Sequence, residues 1–410
     1  MSEKLRPVMI VSGGSVLQPI LPALAARYDL VFLYPQLAQS AAEQGTPNVL
    51  ALGQFFTADV KETADTATGV LTAQIVNAMP AIAQRIALSY NERERPHALN
   101  GDLSKWLVAY SLTRLQNQIT TLSVLEAIFN NRDVAGCIVH EDLTPDARGA
   151  VLFCRARGVP TIQIPHAACH LLPGVEDIHR STRTEYILAS GEYMAKFYAD
   201  GGHPPDKISI VGVPQWDSYY TPAALPAKAE ARRVLGVDGL TLCYATTWAQ
   251  TTSLRSEFER ELQASLEAVL RAAKELGATL IVKMHPGENP AGEQYYAEQM
   301  KASGVYGMVT RNHMTYTTLA ADVLIAQGPS NICIEAAMMG TPSCYIQTEG
   351  FDFAHALPYR SGMDGLVAAI EQARVGLGAG WDDFIRYYNA AHGVGDGAAQ
   401  ALSEVERICR

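Results

Sequence analysis

Paired cysteines, basic charge, long apolar runs and metal-binding aspartate pairs are missing from this 410-residue chain, and each absence removes a class of function. The seven cysteines, Cys137, Cys154, Cys169, Cys243, Cys333, Cys344 and Cys409, stand far apart with no C-x-x-C pair. That spacing argues against a disulfide framework or a clustered zinc site, and reads as buried thiols in apolar segments. Against 42 Asp and Glu there are 32 Lys and Arg, a net charge of −10. Broad nucleic-acid binding is thereby excluded, since displacing counterions from phosphates needs a basic face. The apolar run that ends at Ser12-Gly13-Gly14 is too short for a signal-peptide core or a membrane span, so the chain is expected in the cytoplasm. The same Ser12-Gly13-Gly14 lacks the spacing of a dinucleotide fingerprint, so no cofactor is expected. No Asp-x-Asp pair sits at a strand end, and catalysis is expected to need no metal.

What is present is an ordinary globular composition, 48% hydrophobic and 18% charged, without repeats or low-complexity tracts. A chain of this length exceeds what one core usually holds, so two domains of roughly 200 residues are expected. Apolar, β-branched runs alternate with helical patterns, which favours parallel sheets with crossover helices. In the first half the strands read as Pro7–Val11, Leu30–Tyr34, Val49–Leu52, Gly136–His140, Thr161–Ile164, Tyr186–Ala189 and Ile208–Val211. A helical insertion, Val60–Tyr90 and Leu103–Asn130, interrupts them and is suited to shaping an acceptor groove.

After a Pro- and Tyr-bearing connector from Pro214 to Pro226, a second series begins. Its strands read as Leu240–Ala245, Leu280–Met284, Gly307–Thr310, Val323–Ala326 and Ser343–Ile346. The fold class is therefore α/β, with two Rossmann-like, doubly wound domains facing across a cleft. We place the first at residues 1–221, with its helical insertion near 60–130, and the second at 222–410, closed by C-terminal helices.

Two segments carry the chemistry. Lys283-Met284-His285-Pro286-Gly287 and Gly328-Pro329-Ser330-Asn331, with Glu335 about one turn later, each follow a strand. Ligands bind at such carboxyl ends in open α/β sheets. A small hydroxyl and the start of a helix at Asn331 suit a phosphate, and Glu335 suits a ribose hydroxyl. Thr246, Thr247 and Gln250, after another strand, could cradle the same phosphate or cap a helix. The pattern reads as a nucleotide-sugar site. In the first half, His140-Glu141-Asp142 ends a strand, and a carboxylate there could take the proton of an attacking hydroxyl. Glu141 or Asp142 could equally cap the helix that follows. His166 ends the next strand.

With these pieces in place the chain resembles GT-B glycosyltransferases, particularly bacterial enzymes using CMP-activated ulosonic acids (sialic acid, Kdo) or CDP-glycerol. The resemblance rests on His140-Glu141-Asp142, His285-Pro286 and Ser330-Asn331. Gly328-Pro329-Ser330-Asn331 departs from the Ser-Ser or Ser-Gly-Gly run common in that motif. Gly212-Val213-Pro214-Gln215-Trp216-Asp217 is similar to the Gly-x-Pro-x-x-Asp run of CDP-glycerol transferases and nucleotide-sugar 2-epimerases.

The resemblance implies Glu141 as base or acid/base, and His166 as its helper or a phosphate contact. Asp217 is either a nucleophile in retaining chemistry or a turn aspartate bonding its own backbone. Lys283, His285, Pro286, Gly328, Ser330, Asn331, Glu335, Thr246 and Thr247 are expected to hold the donor nucleotide. The expected activity is transfer of an ulosonic acid from a CMP donor to a surface glycan, lipid-linked glycan or protein, without nucleic acid. Such acceptors suit peripheral association with the inner membrane face. The alternatives are a 2-epimerase-like isomerase or hydrolase, a CDP-glycerol-type transferase, and a non-catalytic nucleotide-sugar module.

Overall fold

The computed structural model describes residues 6–89, 102–168, 179–220, 225–247, 255–311, 314–347, 353, 356–376, 378–390 and 396–410. Seven strands appear in the first half: β1 Val8–Ser12, β2 Asp29–Phe32, β3 Val49–Ala51, β4 Val134–Val139, β5 Thr161–Gln163, β6 Tyr186–Ala189 and β7 Ile208–Ile210. Six follow: β8 Thr241–Ala245, β9 Thr279–Lys283, β10 Gly307–Thr310, β11 Val323–Gln327, β12 Ser343–Ile346 and β13 Tyr359–Ser361. The first sheet runs β3-β2-β1-β4-β5-β6-β7 and the second β10-β9-β8-β11-β12-β13. Each repeats the doubly wound order in which the first strand lies between the second and the fourth.

Continuous apolar strands make both sheets parallel and covered. Every residue of β1, β8, β9 and β11 is buried, the pattern of a strand with helices on both faces. Val8, Ile10, Cys137 and Val139 pack with Val124, Leu125 and Ile128 from the helix Asp102–Asn131 and with Val151 from Pro145–Ala156. In the second sheet Leu242, Leu280, Val282, Val323 and Ile325 pack on Leu266, Val269 and Leu270 of the helix Arg255–Glu275. Each such buried aliphatic side chain is worth about 1.5–3 kcal/mol relative to exposure.

Contacts divide the chain into two interleaved units, whereas the sequence reading cuts it once, after Thr221. One unit comprises Met1–His166, Ser181–Leu188 and Leu402–Arg410, the other Ala167–Arg180 and Ala189–Ala401. Local packing accounts for the last segment's membership. Arg27 pairs with Glu406 at 2.9 Å, and a Cβ on Gly136 would stand 2.8 Å from Cys409 Sγ. Among the described residues the strand absent from the sequence reading is β13, a Tyr-Arg-Ser edge strand with no apolar run, which pairs with β12. No described helix is long and apolar enough to cross a membrane.

Candidate functional site

In the first unit, β1 lies between β2 and β4, so the winding reverses beside its carboxyl end, where a crevice opens. Chain leaving β1, β2, β4 and β5 supplies Gly14, Tyr34, His140 and His166, which line a cavity of about 500 Å³ with Ser15, Val16, Gln36 and Leu37. A Cβ on Gly13 would stand 2.3 Å from Leu17 Cδ1, so a larger residue in that turn would displace the buried Leu17 side chain. The place of Gly14 at the cavity wall comes from the strand order.

Glu141 stands between two imidazoles. His140 Nε2 is 3.5 Å from Glu141 Oε1, and His166 Nδ1 is 3.5 Å from Glu141 Oε2. The two rings meet edge to face with centroids 5.6 Å apart. His140 is held from behind, its Nδ1 lying 3.2 Å from the Ser12 carbonyl, which also accepts the His140 main-chain N–H at 2.9 Å. The expected base and its expected helper are therefore together, in a cluster whose atoms could also hold a cation, although the sequence reading expected no metal.

Neither acid caps the following helix. Thr144 Oγ1 does so, accepting from Ala147 N at 3.3 Å, while Asp142 is buried and accepts the main-chain N–H of Arg183 at 2.6 Å. Tyr34 OH lies 2.7 Å from Thr144 Oγ1, tying the end of β2 to that cap.

The second unit has its own reversal beside β8, flanked by β9 and β11. Ala245 is in register with both Lys283 and Ala326, so the next residues of all three strands emerge together. Thr246 N donates to the Lys283 carbonyl at 3.0 Å, and His285 N donates to Thr246 Oγ1 at 2.9 Å. Thr246 Oγ1 in turn donates to Glu288, whose other oxygen accepts from Tyr296 OH at 3.2 Å. Arg311 clamps the turn, its guanidinium donating to the Pro286 carbonyl at 2.8 Å and the Glu288 carbonyl at 2.7 Å. Glu288 and Arg311 lie outside the sequence-read set; their signal was only proximity to the His-Pro pair.

His285 Nδ1 accepts the Gly287 N–H at 3.0 Å, which places the neutral ring's proton on Nε2. Burial, then Lys283, holds its pKa below the ordinary value. Burial likewise lowers Lys283, whose ammonium donates to the Met284 carbonyl at 2.8 Å.

Beyond β11, Gly328 adopts a left-handed φ of 72°, a conformation that favours glycine. Ser330 caps the helix Asn331–Met338 by position, without a side-chain cap bond, so its hydroxyl is not consumed there. Asn331 Oδ1 accepts from Ala168 N at 2.8 Å, a tie the sequence did not reveal. Partly buried Glu335 accepts a 2.9 Å hydrogen bond from Tyr219 OH, and burial pushes its pKa up to about 7. Thr247 is half-buried beside Thr246. Gln250 lies outside the described residues.

Asp217, the candidate nucleophile, is buried and bonded through both oxygens. They accept the Gly397 and Ala398 N–H groups at 3.0 and 2.9 Å, at the start of the helix Asp396–Ile408. This carboxylate thus caps a helix nearly half the chain away, a partner that neither alternative of the sequence reading included.

Residues 159–332 match the family model for CDP-Glycerol:Poly(glycerophosphate) glycerophosphotransferase. The matched span contains His166, Asp217, Thr246, Lys283, His285 and Ser330, and leaves out Glu141 and Glu335. No curated protein matches. Among solved structures, UDP-GlcNAc 2-epimerase from Neisseria meningitidis bound to UDP-GlcNAc is similar at 10% identity and a TM-score of 0.58, covering 98% of this chain and 100% of that one. The enzyme of the same name from Methanocaldococcus jannaschii gives 12% identity and a TM-score of 0.57, covering 98% and 99%. The wall teichoic acid polymerase TagF, soaked with CDPG, gives 12% identity and a TM-score of 0.51, covering 99% and 89%. At such identities the likeness concerns the fold, and with the two strand orders it makes this chain an α/β protein of two parallel-sheet, GT-B-type domains.

Proposed function

We propose that this chain is a transferase that moves an activated group from a cytidine nucleotide donor to a hydroxyl acceptor, with glycerol phosphate from CDP-glycerol as the favoured cargo. The observation that carries the reading is Glu141, held 3.5 Å from an imidazole nitrogen on each side at the carboxyl ends of β4 and β5. The family match over residues 159–332 supports the donor class. In the proposed step the acceptor oxygen bonds to the donor's terminal phosphorus, Glu141 takes the hydroxyl proton, and CMP leaves with the bonding electrons. Lys283, the His285 Nε2–H and the Ser330 hydroxyl would offset charge on the departing phosphate. Glu335, steadied by Tyr219, would hold the ribose.

An ulosonic acid on CMP, which the resemblance put first, would use the same base and the same nucleotide groups at a sugar carbon. Glycan, lipid-linked or protein acceptors, and work at the inner membrane face, belong to that reading. The deciding experiment gives the purified chain CDP-glycerol, CMP-sugars and UDP-GlcNAc in parallel, with and without hydroxyl acceptors. Acceptor-dependent CMP release supports transfer, and the productive donor names the cargo. UDP release or epimer formation from UDP-GlcNAc alone, with no CMP from any donor, would replace the proposal with an isomerase or hydrolase.

A further inference from the structure

We infer that His140, Glu141 and His166 form a binding site for a divalent transition-metal ion, of the class that takes two imidazoles and one carboxylate. One ligand atom from each residue lies within 4.8 Å of the other two. Zinc held tetrahedrally by nitrogen and oxygen at 2.0–2.2 Å sets its ligands about 3.4 Å apart. The His140 Nε2–Glu141 Oε1 edge, 3.5 Å, already has that length, and His166 Nδ1 stands 3.5 Å from the other oxygen, Oε2. Both are longer than an ordinary N–H···O bond of about 2.7–3.2 Å. The two edges to His166 close by rotation of that ring, the most exposed member of the cluster.

A second observation points the same way. The Ser12 carbonyl can only accept, so the proton of a neutral His140 ring sits on Nδ1, 3.2 Å from that oxygen, and Nε2 turns a lone pair toward Glu141. Two electron-rich atoms in that relation accept a cation between them, a proton or a metal ion. A backbone carbonyl on the remote ring nitrogen is also how metal-binding histidines are oriented, because it sets the tautomer and raises ligand basicity. The same carbonyl accepts the His140 main-chain N–H, so the ring is anchored at two points. Toward the cavity of about 500 Å³ there is room for a water or ligand oxygen in a fourth position.

This inference deepens the reading of the cluster as the acceptor-activating site. It implies that proton and metal compete there, because coordination through one oxygen lowers the basicity of the Glu141 carboxylate. Its test reads metal binding and not turnover, so either reading can fail alone. The untagged full chain is stripped with a chelator, dialysed against buffered micromolar free Zn²⁺ and assayed for bound metal, and Co²⁺ is titrated in parallel for visible ligand-field bands. The expected result is stoichiometric zinc and a low-symmetry cobalt spectrum, with affinity at least about tenfold weaker in Glu141→Gln and in His166→Gln. Circular dichroism melts establish that both variants are folded. No metal above background on the parent chain, or equal retention by the folded variants, would overturn the site.

Discussion

The hydroxyl of Tyr219 donates a 2.9 Å hydrogen bond to Oε2 of Glu335. This bond links the Pro- and Tyr-bearing connector to the helix after the Gly328-Pro329-Ser330 turn, and burial pushes the Glu335 pKa up to about 7 in spite of it. Burial disfavours the carboxylate more than the Tyr219 bond and the Lys283 ammonium favour it.

The linkage has a definite sign. Relative to an ordinary value of 4.5, the folded protein keeps the Glu335 proton longer than the unfolded chain does. Stability from this group is thus fully present below 4.5 and declines as pH rises toward about 7. Glu335→Gln should stabilise the ligand-free protein above that window by up to about 3 kcal/mol, and the gain should fade near pH 4. Urea unfolding at the two pH values measures it, and a gain of equal size at both would contradict the buried-acid assignment.

His285 runs the opposite way. Its folded pKa lies below the ordinary 6.5, so its contribution is present above that value and is lost as pH falls beneath it. Nucleotide binding should therefore depend on the neutral ring and its Nε2–H. His285→Ala should weaken CDP binding about ten- to a hundredfold, the worth of one hydrogen bond to a charged group. Calorimetric titration gives the number, and unchanged affinity would remove His285 from the phosphate site.

Replacing Glu141 with Gln keeps the shape of the side chain and removes its basicity. Turnover should drop by about two to four orders of magnitude, the usual share of a general base, with CDP affinity intact. Full activity in this variant would require another base.

Asp217→Ala should behave as a loss of structure. Two main-chain N–H groups of the C-terminal helix would lose their acceptor, at a cost of about 1–3 kcal/mol, while CDP affinity holds. Gly397→Ala should also destabilise, because its Cβ would stand 2.8 Å from Asp217 Oδ1. A stable Asp217→Ala protein without turnover would restore the nucleophile reading.

Much of the fold was legible because the signals are local. Burial on both faces makes β1, β8, β9 and β11 mostly apolar runs, and Gly236, at φ 65°, supplies the left-handed stop that ends the helix Lys228–Leu235. Strand β13 carried no such signal, since Tyr359, Arg360 and Ser361 form a strand only because β12 offers an edge. Within the site, the His-Pro and Pro-Ser turns could be read from their positions after strands. The Glu288–Thr246 bond and the Arg311 clamp could not, because they depend on how two turns fold against each other.

By itself the sequence determined which segments become buried strands, that they alternate with helices in two series, and which side chains leave the strand ends. Periodicity and turn chemistry act over a few residues, so those features need no knowledge of distant chain. Only the tertiary structure decided that Glu141 sits between His140 and His166, that Tyr219 meets Glu335, and that Asp217 caps a helix beginning 180 residues later. Each of these pairings arises where the chain returns upon itself, and the partner of a polar atom is set by that return and by the cost of burying it unpaired.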